Sequence, residues 1–137
     1  MKTGAGPINN FGLGARGRVR TNVWNYPGLN CFGPERDALL AMHPTVKPVA
    51  MVADAIRDCS KVNHVVLDPF AGSGTTLIAC ERVKRKARLI EIDPHYCDVI
   101  VRRFEKFTGE QARLATTEAT FEEVVRTGRP TIEGVVR

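Results

Sequence analysis

Residues 65–83 read VVLDPFAGSGTTLIACERV, and their pattern decides the fold class. Val65, Val66 and Leu67 form a short apolar run that closes on Asp68. A β-branched run bounded by turn residues is the signature of a strand buried in a parallel sheet. Gly72 and Gly74 then mark a turn, after which Leu77, Ile78, Cys80 and Val83 recur as they would along a helix of about ten residues. Strand, glycine turn and helix in this order predict the first half of a βαβ unit.

The flanks complete the unit. ARLIEID, residues 87–93, predicts the second strand, and Asp93-Pro94 offers an N-cap followed by proline at the first helical position. Tyr96, Ile100, Phe104 and Phe107 would line the next helix, which Gly109 can end. Upstream, Pro48 opens a helical pattern in which Val49, Val52, Ala53 and Ile56 share one stripe. Parallel strands joined in this way cross over right-handedly, so the chain reads as α/β. Two shorter signals follow. ARLAT, residues 112–116, suggests a third, edge strand, and TFEE, residues 120–123, has the spacing of a capping box opening a short final helix. Residues 1–34 hold seven glycines and three prolines and read as a loop or extended arm, with a short strand around Val19–Trp24.

A chain of 137 residues can bury the core of one domain, or form a fragment of one. Its net charge of +5 favours an anionic partner, and the distribution says more than the total. Residues 1–34 carry Lys2, Arg16, Arg18 and Arg20 and no acid, which makes them a candidate nucleic-acid-facing arm. RVKRKAR, residues 82–88, places five bases in seven positions, a pattern that most often marks a solvated face. Cys31, Cys59, Cys80 and Cys97 form no CxxC pair, which argues against zinc and against a disulfide framework. Cys80 and Cys97 fall in helical apolar patterns and read as reduced core residues. No charged-then-apolar leader and no apolar run of about 18 residues is present, so the expectation is a cytoplasmic protein without metal or membrane.

The glycine turn carries the chemistry. Open α/β sheets bind ligands beyond the carboxyl ends of their strands, where this turn lies. Gly72 and Gly74 permit close approach of a ligand, and backbone N–H groups of the following helix make an electropositive rim. Glu91, 23 residues after Asp68, closes the second strand with an acid that can accept bonds from both ribose hydroxyls. Together these describe a pocket for a nucleoside cofactor. A dinucleotide loop would read G-x-G-x-x-G, whereas GSGTTL puts Leu77 where the third small residue belongs. Asp68 would repel a pyrophosphate but suits an α-ammonium, which favours S-adenosylmethionine over NAD.

HPTVKP (43–48), DPFAGSGTT (68–76) and EIDPHYCDVIVRRF (91–104), in that order, resemble the N4/N6-amino DNA methyltransferases. The branch most similar is the one whose cofactor motifs follow the catalytic motif, and NVWNYPG (22–28) and TGEQA (108–112) look like phage or prophage members. The resemblance implies a Rossmann-like class I methyltransferase fold, here a partial parallel sheet with flanking helices. It implies methyl transfer from S-adenosylmethionine to the exocyclic amine of adenine (N6) or cytosine (N4) in double-stranded DNA, in a restriction–modification or an orphan setting. By position, Asp68, Phe70, Ala71, Gly72, Ser73, Gly74 and Thr75 would surround the methionine part of the cofactor. Glu91 would bind the ribose and Ile92 would lie against the adenine. Thr45 and Lys47 would meet the cofactor carboxylate, with Pro44 and Pro48 fixing the turn. Read bottom-up, Lys47 beside a carboxylate makes a charge-assisted bond, and its alternative is a snorkelling lysine at a helix start. His43 reads as a turn residue, and His64 and His95 as surface positions. Trp24 and Tyr26 could stack on a base, but packing against the cofactor helix is favoured.

Family chemistry needs an (Asp/Asn/Ser)-Pro-Pro-(Tyr/Phe) motif that orients the target amine and stacks on the flipped base. No such tetrapeptide occurs in these residues, so no catalytic residue is assigned. The expected organisation is then the tail of a target-recognition region or a basic arm (1–34), a cofactor-binding portion (35–116) and a C-terminal extension (117–137). Such a portion would be inactive alone and would need a second chain, or a second copy, to complete the sheet. The competing reading is a non-catalytic nucleic-acid-binding or regulatory remnant of such an enzyme. A third is a methyltransferase for RNA or a small molecule, or a dinucleotide-binding domain.

Overall fold

The computed structural model describes residues 6, 8–21, 23–26 and 46–128. Helix α1 spans Val49–Cys59, strand β1 Val65–Asp68, helix α2 Thr75–Arg82, strand β2 Lys86–Leu89, helix α3 Pro94–Thr108 and helix α4 Phe121–Thr127. The two strands pair in parallel, Val65 opposite Lys86 through Asp68 opposite Leu89, and α2 is their crossover. This is the α/β, partial Rossmann-like arrangement expected from the sequence.

One face of the pair is covered. Val66 and Ala87 pack under a core of Ala53 and Ile56 from α1 and Ala79, Cys80 and Val83 from α2 and its cap. Ala79 has no exposed surface, so α1 and α2 approach closely, and burying Ile56 contributes about 1.5–3 kcal/mol. Burial also pushes the Cys80 thiol up from its ordinary pKa, in keeping with an inert core residue. The opposite face carries Val65 and Leu67, both more than half exposed, beside Lys86 and Arg88.

Helix ends follow their sequence signals. Asp93 caps α3 by accepting from the His95 N–H at 2.8 Å, and Gly109 ends it in the left-handed conformation at φ 76°. Thr120 and Glu123 form the reciprocal capping box of α4. At the C-terminus of α1, the Asn10 side-chain amide donates to the carbonyls of Arg57 (2.8 Å) and Ser60 (2.6 Å). Arg85, from the basic run, also donates to the Ser60 carbonyl and hydroxyl, so one base of that run is structural.

Two expected strands are absent among the described residues. ARLAT does not join the sheet: Leu114 N–H bonds back to Ala119 O at 2.9 Å, Glu118 turns left-handed, and Arg113 bridges only Thr120, antiparallel. A chain that reverses within six residues has no length left to pair with β2. The described residues around Val19–Trp24 are irregular as well, because Arg20 turns inward while Val19 and Val23 stay exposed.

Arg20 instead clamps the N-terminal segment to α1. Its guanidinium pairs with Asp54, donates to the Tyr26 hydroxyl at 3.3 Å, and lies 5.0 and 4.6 Å from the Phe11 and Trp24 ring centroids. Tyr26 donates its hydroxyl to Asp54 too. Bonds from Tyr26 and then Arg20 hold the Asp54 carboxyl below its ordinary range. A depressed carboxyl stabilises the fold fully above its unfolded pKa of about 3.9 and loses that contribution as pH falls through the folded value. Acidification through that depressed value, below the ordinary carboxylate range, should therefore open the clamp. Emission from Trp24, the only tryptophan, should change before far-UV ellipticity is lost. Asp54→Asn should give the acid-type emission already at neutral pH.

Candidate functional site

The carboxyl ends of β1 and β2 open into a cavity of about 880 Å³, roomy enough for a nucleoside-sized ligand. Its floor is the glycine turn between β1 and α2. Ala71 N–H donates to Ile90 O at 3.1 Å and Ile90 N–H to Asp68 O at 3.0 Å, so the turn is stitched to the end of β2. Gly72 (φ 53°) and Gly74 (φ 76°) take left-handed backbone there. Gly74 has a second reason to be glycine: a Cβ would lie 3.0 Å from Cγ1 of Ile100 on α3.

Asp68 and Glu91 bracket the cavity. Asp68 is held by two donors, the Phe70 N–H at 3.0 Å and the Thr76 hydroxyl at 2.6 Å. Glu91 accepts from the Gly72 N–H at 2.7 Å through one oxygen and from the Asp93 N–H at 3.0 Å through the other. The Asp93 and then the Gly72 backbone bonds hold its carboxyl below the ordinary range, so it stays ionised and accepts only. Each oxygen keeps a lone pair for a further donor, and paired hydroxyls are the donors this geometry suits.

Nine of the residues singled out from sequence line this one cavity: Lys47, Asp68, Phe70, Ala71, Gly72, Ser73, Thr75, Glu91 and Ile92. Phe70 and Ile92 stand 86% and 95% exposed at its mouth, apolar surface available to a planar ligand. Gly74 lies behind the wall against Ile100, and Thr45, His43 and Pro44 fall outside the described residues. Arg16, Arg18 and Arg20 are not part of the cavity lining. Arg16 and Arg18 are exposed, whereas Arg20 is committed to the clamp on Asp54.

Sequence reasoning missed several wall residues: Val52, Pro69, Thr76, Ile90, Asp93 and Tyr96. Tyr96 follows from its place in the first turn of α3, directly after the second acidic strand end. Thr76 has its signal in the paired threonines that open α2, where the glycine turn folds the helix start back onto the end of β1 and Asp68. Among the described residues no group of three or more His, Cys, Asp or Glu could hold a metal ion, and no helix is long and apolar enough to cross a membrane.

A family model described as DNA methylase (N6/N4 methyltransferase) matches residues 7–102. The type II methyltransferase M.ScaI of Streptomyces caespitosus is 35% identical over 89 residues, covering 65% of this chain and 29% of that protein. The type II methyltransferase M.HpaI of Haemophilus parainfluenzae is 33% identical over 103 residues, 74% of this chain and 30% of its own. DNA adenine methyltransferase YhdJ of Escherichia coli K12 is 36% identical over 88 residues, 64% and 29% respectively. Among solved structures, M1.HpyAVI in complex with SAM is 30% identical with a TM-score of 0.47, covering 63% of this chain and 42% of that one. The chain spans less than a third of the length of these curated relatives.

The packing of α3 on the turn can be measured. Gly74→Ala should destabilise the fold by about 1–3 kcal/mol in urea unfolding, from left-handed strain together with the clash. Combined with Ile100→Ala, it should cost less than the two single changes added, a coupling that a double-mutant cycle resolves.

Proposed function

Because the chain belongs to the N6/N4 DNA methylase family, we propose that its cavity binds S-adenosylmethionine, as the cofactor portion of a DNA amino-methyltransferase. The observation that carries this reading is the fixed Glu91 carboxylate facing the glycine turn across one cavity. Glu91 accepts the two ribose hydroxyls, and Ile92 and Phe70 give the adenine an apolar surface. Asp68, held by Phe70 and Thr76, receives the α-ammonium of the methionine part. Lys47, with Thr45 before it, neutralises the carboxylate, and Ala71, Gly72, Ser73, Gly74 and Thr75 shape the turn beneath. The bound cofactor supplies an electrophilic methyl group on a sulfonium, and these residues orient it and hold it out of water.

The substrate amine, adenine N6 or cytosine N4 of double-stranded DNA, would be positioned by an (Asp/Asn/Ser)-Pro-Pro-(Tyr/Phe) motif, which these 137 residues do not contain. The bare face of Val65 and Leu67 and the unpaired strand edges suit a second chain, or a second copy, that brings it. Exposed Arg16 and Arg18 offer phosphate contacts. A DNA substrate places the work in the compartment that holds DNA, the cytoplasm expected from the sequence. The absent tetrapeptide also supports the second reading, a non-catalytic nucleic-acid-binding relative that keeps the fold.

Calorimetric titration with S-adenosylhomocysteine tests the assignment. Saturable binding is expected, weakened about tenfold to a hundredfold in Glu91→Ala through loss of charge-assisted ribose bonds. A well-folded sample that binds nothing overturns it. Affinity should also fall as the pH drops through the depressed Glu91 pKa, and that fall should be smaller in Glu91→Gln. With tritiated cofactor, the 137-residue chain alone should leave DNA unlabelled, and a DNA mobility shift independent of cofactor would favour the second reading.

A further inference from the structure

Arg103 sits under the glycine turn, on the side away from the cavity. Its Nη1 donates to the Ser73 carbonyl at 2.9 Å, the Ser73 hydroxyl at 3.2 Å and the Thr75 hydroxyl at 3.3 Å. Among the described residues no carboxylate lies within ion-pair distance of it. A half-buried guanidinium without a counter-ion is a costly arrangement, and an anion arriving nearby would relieve it.

The hydroxyls say where that anion would sit. Ser73 and Thr75 are both more than 90% buried, yet both line the cavity wall. A hydroxyl that accepts from Arg103 must send its own proton elsewhere. Ser73 Oγ and Thr75 Oγ1 are 3.4 Å apart, so one can donate to the other. One hydroxyl proton is then left to donate to a group inside the cavity. Its acidity is raised by the charge behind it, since a donor polarised by a cation makes the stronger bond to an anion. Asp68 takes the ammonium end of an amino-acid group, so the matching anion is that group's carboxylate.

We propose that Arg103 is a positioning residue that makes the cavity select ligands with an intact amino-acid carboxylate, acting through the Ser73 and Thr75 hydroxyls. This rests on the cavity being the S-adenosylmethionine site. It adds a second carboxylate-directed element, on α3, to the one expected from Lys47.

The test compares two ligands on the 137-residue chain: S-adenosylhomocysteine and its decarboxylated analogue, which keeps the ammonium. In Arg103→Met, affinity for S-adenosylhomocysteine should fall about tenfold or more, while the decarboxylated analogue should bind within about twofold of the unmutated chain. Binding of the analogue doubles as proof that the cavity is still formed. Arg103→Lys, which keeps the charge without the fork, should retain part of the preference for the carboxylate. Equal losses for both ligands in both variants, or no loss for S-adenosylhomocysteine, overturn the role of Arg103 and leave the cofactor assignment standing. Failure of the unmutated, folded chain to bind S-adenosylhomocysteine overturns both.

Discussion

The parallel pairing of β1 with β2 is the constraint on which everything else depends. Parallel neighbours cannot be joined by a tight hairpin; the chain must leave one strand's end and return to the other's beginning. Here α2 makes that return in eight residues, and it must lie flat on the sheet to do so. Ala79 and Cys80 provide the flatness, being small enough for α1 to close over them. The same crossover forces a sharp turn at the carboxyl end of β1, and left-handed backbone at Gly72 and Gly74 makes it. The cavity is thus a by-product of the connection, formed where one strand's exit faces the other's.

Charge is arranged around that turn in layers. Two carboxylates, Asp68 and Glu91, face each other across the cavity, each pinned by donors that also fix the turn. Behind the turn stands the Arg103 guanidinium, joined to it through a carbonyl and two hydroxyls. A zwitterionic ligand end can meet opposite signs at separate places in such a layout, and neither sign needs to move. Helix α3 backs this arrangement: it is capped at both ends, by Asp93 and by Gly109, and sets Ile100 against Gly74.

Much of this was legible in the sequence because local rules set it. The βαβ unit, the caps of α3 and α4, and the wall residues Asp68, Gly72 and Glu91 follow from periodicity, glycine spacing and acidic strand ends, whereas Lys47, Phe70, Ala71, Ser73, Thr75 and Ile92 came from the resemblance to the N4/N6-amino DNA methyltransferases. What was not legible depends on contacts distant in the chain. ARLAT alternates like a strand, but alternation says nothing about whether a neighbour is within reach, and the turn at Glu118 takes it away. Arg20 looked like one more base of a free arm; only the fold brings Asp54, 34 positions later, to meet it. Arg103 carries no signal of its own in the sequence, and its position beneath Ser73 becomes visible only when α3 is docked.

Register has a kinetic meaning as well. Val65 and Lys86, the first partners of the ladder, are 21 positions apart, and Asp68 and Glu91 are separated by a similar length of chain. Closing so short a loop costs little entropy, and contacts of low sequence separation form early in folding. Helix α1, which seals the core, directly precedes this segment. The ligand cavity is therefore walled by one continuous stretch, Lys47 to Tyr96, and needs no pairing with residues remote in the chain.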